Sequence, residues 1–279
     1  MRRFIIFLGI TLLAFYACDT EKENIDNNNE TETPKDTLID DSGIAEICGT
    51  WLYDLVDTSI VLTIDKNGQF TDVRKTGQQT TYGLKYYKGY IYGPKVSQYG
   101  PDNYMYKVTR NGDIMTWNNN ESVYGFPLLE FAWFKKDGVF DKKITDGRWN
   151  LVLHGREEDI NISFIFEDNI VDVYSVANSN PIYNLYEVVH LKGTYKHNNG
   201  VLAITYSEGF IAGKQDNNGE IEGCAIDPET FQPQDGNDWI TLQPEKLEDY
   251  QQHSSKFTFV VESDTLAYSE ASWIYTKVQ

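Results

Sequence analysis

Gly49-Thr50-Trp51 and Gly147-Arg148-Trp149 stand 98 residues apart, and each opens the same series of segments. A chain that repeats itself builds one architecture twice, so this constrains the fold before any other feature does. In the first copy the second segment is Ser59–Ile64, followed by the turn Asp65-Lys66-Asn67-Gly68 and the segment Gln69–Val73. In the second copy Ile160–Phe166, Glu167-Asp168-Asn169 and Ile170–Tyr174 take those places. Lys88-Gly89-Tyr90-Ile91-Tyr92 is matched with Lys192-Gly193-Thr194-Tyr195. The copies close alike, on Ala132-Trp133-Phe134-Lys135-Lys136 and Ser272-Trp273-Ile274-Tyr275-Thr276-Lys277.

The local pattern is β throughout. Ile160, Ile162, Phe164 and Phe166 alternate with Asn161 and Ser163, and Phe257, Phe259 and Val261 alternate with Thr258 and Glu262. A period of two places each set on its own face of a strand. Asn67-Gly68, Asn111-Gly112, Asn199-Gly200 and Asn218-Gly219 supply the positive φ that tight hairpins need. The mature chain has no long 3.6-residue period, so little helix is expected. A meander of about eight short strands closes most economically into a barrel, because closure removes exposed edges. The expectation is an all-β fold of two tandem antiparallel meander β-barrels: residues 47–136, a linker at 137–146, and residues 147–279 with an insertion at about 207–255.

Gly-x-Trp on the first strand of an eight-stranded meander resembles the opening motif of the lipocalins. The chain is more closely similar to the lipocalin-like domains of lipoproteins of the Bacteroides group. The residues that carry this are Gly49-Thr50-Trp51, Leu62-Thr63-Ile64, Asn67-Gly68 and Lys135, and then Gly147-Arg148-Trp149, Ser163-Phe164-Ile165, Gly193-Thr194-Tyr195 and Lys277. The pattern is departed from at Asp168-Asn169, which lacks the turn glycine, and at Gly89-Tyr90-Ile91, where Gly-Thr-Tyr is the family form. The resemblance implies barrels that hold an apolar or small ligand in a cup, with Trp51 and Trp149 plugging the closed ends.

Residues 1–17 have the layout of a signal peptide: Arg2 and Arg3, then an apolar run from Phe4 to Ala17. That run is shorter than the ~20 residues a spanning helix needs. Ala14-Phe15-Tyr16-Ala17-Cys18 resembles a bacterial lipobox, which makes Cys18 the lipid-attachment residue and acyl chains the link to the membrane. The alternative is an ordinary secretory signal in which Cys18 is incidental. Residues 18–46 carry ten acids against Lys22 and Lys35 and show no apolar period, so a disordered acidic tether is expected. An acidic stretch after the lipidated Cys resembles the surface-export signal of the same lipoproteins; a generic linker is the alternative. The address implied is the bacterial cell envelope, at the outer membrane and open to surface exposure.

Residues 47–279 hold 32 acids and 20 bases, so the folded part is acidic in its own right. It is a poor partner for nucleic acid, which needs cations against its phosphates. No G-x-S-x-G, P-loop or G-x-G-x-x-G occurs, and no catalytic residue is assigned. Glu157-Glu158-Asp159 reads as a solvated hairpin tip. His154, His190, His197 and His253 lack zinc-ligand spacing. Asp216, Asn218, Glu220 and Asp227 approach a calcium-loop spacing, but Ile221 stands where glycine is needed. No metal or other cofactor is expected. Cys48 and Cys224 read as two buried thiols, with a disulfide as the alternative.

The tyrosines of the first copy (Tyr82, Tyr86, Tyr87, Tyr90, Tyr92, Tyr99, Tyr104, Tyr106) can stack on sugar rings, although β-propensity alone accounts for them. The functional expectation is non-enzymatic binding of a small apolar ligand or glycan in one cup, with no ligand-binding residue assignable. The alternatives are an interaction module with filled barrels and partner-binding loops, and a hydrolase with an unrecognised carboxylate pair. Bulky inward residues favour the filled barrel, and small ones the cup.

Overall fold

The computed structural model describes residues 43–93, 103–120, 130–154, 159–180, 185–215, 221–269 and 273–278. The expected signal peptide, Cys18 and the tether as far as Ser42 lie outside the described residues, as do Tyr99, Glu157, Glu158, and Asp216 to Glu220. Residues 41–279 form one compact unit.

The fold is all-β, with two large antiparallel sheets that each curl into a barrel. The first contains β1 (Gly49–Leu52), β2 (Val61–Ile64), β3 (Phe70–Val73), β4 (Gln79–Tyr82), β5 (Lys85–Tyr87), β6 (Tyr90–Tyr92), β7 (Tyr106–Asn111), β8 (Ile114–Asn119) and β9 (Glu130–Lys135). Their order is β4-β3-β2-β1-β9-β8-β7-β6-β5. β4 and β5 follow one another in the chain, yet β4 pairs with β3 and β5 pairs with β6. Together they act as one bent strand that joins the two ends of the sheet, which makes eight strands around the barrel.

The second barrel repeats the device elsewhere. Its strands are β10 (Gly147–His154), β11 (Asp159–Glu167), β12 (Ile170–Asn180), β13 (Leu185–Asn198), β14 (Val201–Gln215), β17 (Lys256–Thr258), β18 (Val260–Ser263), β19 (Leu266–Tyr268) and β20 (Ile274–Lys277). β17 pairs with the start of β14, and β18 pairs with β19. Phe259 lies between β17 and β18, and its N–H donates to the Gly200 carbonyl at 2.7 Å. One bent strand again closes eight.

The repeated motifs occupy equivalent places at the seams. Trp51 pairs with Lys135, and Trp149 pairs with Lys277, so first and last strands meet in the same register in both barrels. Each tryptophan is fully buried and donates its indole N–H four residues back, to the Ile47 carbonyl at 2.9 Å and the Thr145 carbonyl at 3.2 Å. The Lys88-Gly89 match does not share this equivalence. Lys88 and Gly89 form a positive-φ hairpin turn between β5 and β6, whereas Gly193 lies inside β13 at a bulge opposite β14. A Cβ on Gly193 would sit 2.2 Å from the Thr205 carbonyl oxygen, so close strand approach, not turn conformation, selects that glycine. The turn without glycine is met by Asp168 itself, at φ 55°.

Two boundaries differ from the sequence expectation. The folded body starts before residue 47: α1 (Ile44–Ile47) buries Ile44 and Ile47 under the base of the first barrel. Two apolar side chains three apart on one turn suffice to seat it. Residues 207–215 belong to β14 rather than to an insertion. The remainder, β15 (Ile221–Glu222), β16 (Asp238–Thr241) and α2 (Pro244–His253), folds back on the second barrel. β16 pairs with β14, and Phe231 and Trp239 pack against Tyr174 on the barrel's outer surface. Tyr174 in turn stacks on His190, with centroids 4.2 Å apart, and His190 Nε2 lies 2.7 Å from Asp172 Oδ1. Helix α2, which starts with Pro at its first turn, turns Leu247 and Tyr250 onto the barrel core.

The barrels share an apolar interface. Ile114, Ala132, Phe134 and Phe140 from the first copy and its linker pack with Val260 and Tyr268 of the second. Thr258 Oγ1 donates to Asp54 Oδ1 at 2.7 Å and accepts the Leu55 N–H at 2.8 Å. Tyr268 donates to Glu130 Oε1 at 3.1 Å. The 137–146 linker is seated here, with Phe140 N–H on Asn199 Oδ1 at 2.8 Å. Two barrels bonded in this way are expected to unfold together. Tryptophan fluorescence and far-ultraviolet circular dichroism should give coincident urea transitions, and Phe134→Ala should lower stability by about 3–5 kcal/mol.

His197 adds an acid dependence. Its Nε2 lies 2.7 Å from the Phe259 carbonyl, and burial holds its pKa below the ordinary 6.5 against the opposing pull of that carbonyl. The unfolded chain therefore takes up this proton first as pH falls, so the contribution is full above 6.5 and declines below it. Urea midpoints at about pH 7.5 and about pH 5.0 should differ less in His197→Gln than in the parent chain.

Candidate functional site

Both barrels carry bulky side chains on the strand faces that alternate inward. In the second barrel Trp149, Leu151, Phe164, Phe166, Leu191, Leu202, Ile204, Phe259 and Tyr275 form one buried cluster. Phe164 contacts Phe257, Phe259 and Tyr275 at centroid separations of 5.3, 6.1 and 5.4 Å. Among the described residues, three buried hydroxyls of this copy are paired: Ser163 donates to Asn150 Oδ1, Thr258 to Asp54, and Ser269 to the Thr258 carbonyl. Tyr206 donates to the Ser254 carbonyl at 2.7 Å. Burial and the nearby Tyr250 push its phenol well above the ordinary tyrosine range, so it stays a donor.

The first barrel differs in the polar atoms it buries. Its base is apolar, with Ile44, Ile47, Trp51, Ile64 and Met115. Higher up, Phe70 and Asp72 are the two buried residues of β3, two apart and so on the same inward face. Asp72 pairs across with Leu62 and Thr80. One carboxylate oxygen, Oδ2, accepts from Tyr82 at 3.3 Å and from Arg74 Nε at 3.5 Å. Burial first, and then the Asp72 charge, raises the Tyr82 phenol above its ordinary value, so it keeps the proton it donates. The other oxygen, Oδ1, is buried with no partner.

Two indole N–H groups share this condition. Trp117 on β8 and Trp133 on β9 are buried, and neither Nε1 has an acceptor. The three groups belong to one connected neighbourhood. Phe70, two residues from Asp72, lies 6.1 Å from Trp117, and Trp117 lies 5.5 Å from Trp133. Tyr53 and Tyr106 border the indoles at 5.5 and 5.4 Å. A buried polar group without a partner costs about 1–3 kcal/mol. Three such atoms among the described residues all lie in the first barrel.

The other sequence candidates fall elsewhere. Trp51 and Trp149 are buried anchors at the barrel seams. Trp273 is partly buried beside the second core. Among the tyrosines, Tyr86 and Tyr92 are buried, while Tyr90 and Tyr104 pair at 4.8 Å. Cys48 and Cys224 are free thiols, raised by burial. Asp227 accepts the N–H groups of Glu229 and Thr230, which lower its pKa, so its carboxylate serves its own turn. Among the described residues no group of three or more His, Cys, Asp or Glu side chains gathers as a metal site would. A recess of about 410 Å³ outside the first barrel is lined by Glu46, Tyr86, Lys88 and Arg110, and Arg110 there donates to the carbonyls of Glu46 and Gly112.

The sequence places Trp133 in the closing segment of the first copy and gives Asp72 and Trp117 no role. The available signal was an acid in a Phe-Thr-Asp-Val strand at a position that alternation turns inward. Comparison with protein-family models, curated proteins and solved structures finds no match. The site therefore rests on its own geometry.

The unpaired donors give a direct comparison. Trp133→Phe deletes a donor with no acceptor, whereas Trp149→Phe deletes one bonded to Thr145. Chemical denaturation of the ligand-free protein should show Trp149→Phe costing about 1 kcal/mol more than Trp133→Phe.

Proposed function

We propose that this chain is a non-enzymatic binding protein of the bacterial cell envelope, anchored by acyl chains on Cys18, that holds a small ligand inside its first barrel. The observation that carries the reading is the set of unpartnered buried atoms there: Asp72 Oδ1, Trp117 Nε1 and Trp133 Nε1. The resemblance to lipocalin-like lipoproteins supports both the cup and the address. The second barrel serves as the structural partner, since its interior is occupied by its own aromatic side chains. A carboxylate-pair hydrolase is less well supported, because Asp72 is the one buried acid among the described residues.

Native mass spectrometry of the full chain, before and after exposure to an envelope extract and spent medium, tests this. The expected result is a discrete non-covalent adduct of a few hundred daltons that is lost in Asp72→Ala and retained in His190→Ala on the outer face of the second barrel. An adduct that survives Asp72→Ala, Trp117→Phe and Trp133→Phe alike, or no adduct from any fraction, would overturn it.

A further inference from the structure

In the second barrel β16, α2 and β17 follow one another along a single edge of β14. β16 pairs Thr241 with Phe210, and β17 pairs Lys256 with Ala203, both antiparallel. They are two ends of one strand in the same row. Between those pairs β14 runs six residues, 204–209, while the chain opposite runs fourteen, 242–255. An antiparallel strand spends one residue on each residue it faces, so the excess must leave the row. It leaves as α2. The ends of the row reach inward only as far as the Leu242 N–H, which donates to the Gly209 carbonyl at 2.8 Å, and the Ser255 carbonyl, which accepts the Ile204 N–H at 2.7 Å.

Between those ends Gln251 of α2 stands in for the missing strand. Its Oε1 accepts the Tyr206 N–H at 2.7 Å, and its Nε2 donates to the Ile204 carbonyl at 3.0 Å. These two backbone groups flank Thr205 on the outward edge of β14, and one primary amide supplies both the acceptor and the donor they need. The Tyr206 hydroxyl adds a bond to the Ser254 carbonyl at 2.7 Å. Gly209 forms the floor: a Cβ there would sit 2.8 Å from Leu242 Cδ1 and 3.1 Å from Leu247 Cδ1. Little else holds the helix. None of its residues is buried, its N-terminus has no side-chain cap, and only Leu247 and Tyr250 pack, in part, against the barrel core. The ladders of β12, β13 and β14 behind it are long and densely paired. A segment with so few buried contacts opens before the body it rests on, and ten residues are too few to stay helical alone, so it opens whole. We propose that α2 is a strap that comes away from β14 as one unit, hinged at Leu242–Gln243 and at Ser254–Ser255. Open, it uncovers the backbone edge at Ile204 and Tyr206; closed, it denies that edge to any extended chain.

Residue-resolved amide hydrogen exchange on the full chain in detergent, in urea steps below the unfolding transition, tests this. The expected result is that the amides of Leu247 and Ser254, which bond within α2, exchange together with that of Tyr206, with little urea dependence and faster than those of Val173 and Leu191 in the barrel ladder. The amides of Ile204 and Leu242, held beyond the two hinges, should stay as slow as the ladder. Gln251→Ala should speed the Leu247 and Ser254 amides about threefold to tenfold and leave Val173 and Leu191 unchanged. Gln252→Ala is the control, since that side chain bonds only to Glu248 of the same helix, and it should change neither set. Exchange of the α2 amides only with the ladder, at the same urea slope, would overturn the strap. So would a Tyr206 amide that keeps pace with the ladder in the parent chain, or Ile204 and Leu242 amides that open with α2, which would mean that the whole row gives way.

Discussion

Pairing between the first and last strand of each copy is the constraint on which the rest of the structure depends. A meander has two free edges until its ends meet, and each edge exposes unpaired backbone N–H and carbonyl groups. Here the meeting is made by Trp51 with Lys135 and by Trp149 with Lys277. Large tryptophans at these seams do two things at once. They fill the barrel base, and their indole N–H groups tie the entering chain back to residues 47 and 145. Closure then defines an inside, and having an inside is what makes a buried carboxylate such as Asp72 consequential.

Closure also leaves an outside, and the two copies use theirs against each other. Trp133 and Phe134 are neighbours on β9, one facing the first barrel's interior and the other the interface with the second copy. A strand's period of two thus assigns adjacent aromatic residues to the barrel interior and to assembly. The second copy extends the same logic to its own surplus. Its long strands carry Tyr174 and His190 outward, where the additional segment lays Phe231 and Trp239 over them. The result is one body in which the second barrel braces the first.

The two interiors separate the copies. The buried hydroxyls of Ser163 and Ser269 in the second barrel find partners, and its aromatic rings contact one another closely. The first barrel places a carboxylate oxygen and two indole N–H groups where nothing of its own reaches them. The two frames are similar and both are packed with bulky side chains, but among the described residues only the first leaves buried polar atoms unpaired. Polar groups in such a position weaken the fold for as long as no partner reaches them.

The all-β class, the eight-stranded meander, the duplicated seams and the turn positions follow from the sequence alone. They are set by alternation, by Asn-Gly pairs and by the spacing of Gly-x-Trp, all of which act within a few residues. The sequence was misleading at Lys88-Gly89 and Lys192-Gly193, because a short match cannot tell a hairpin glycine from one demanded by close strand approach. It was silent on α2, whose two seated side chains are too few to make a period. It was silent also on Asp72 and Trp117. Whether a polar atom has a partner depends on residues brought together from β3, β4, β8 and β9, across a barrel that exists only once it has closed. Local chemistry determined the strands; the tertiary structure alone decided which atoms inside them were left unpaired.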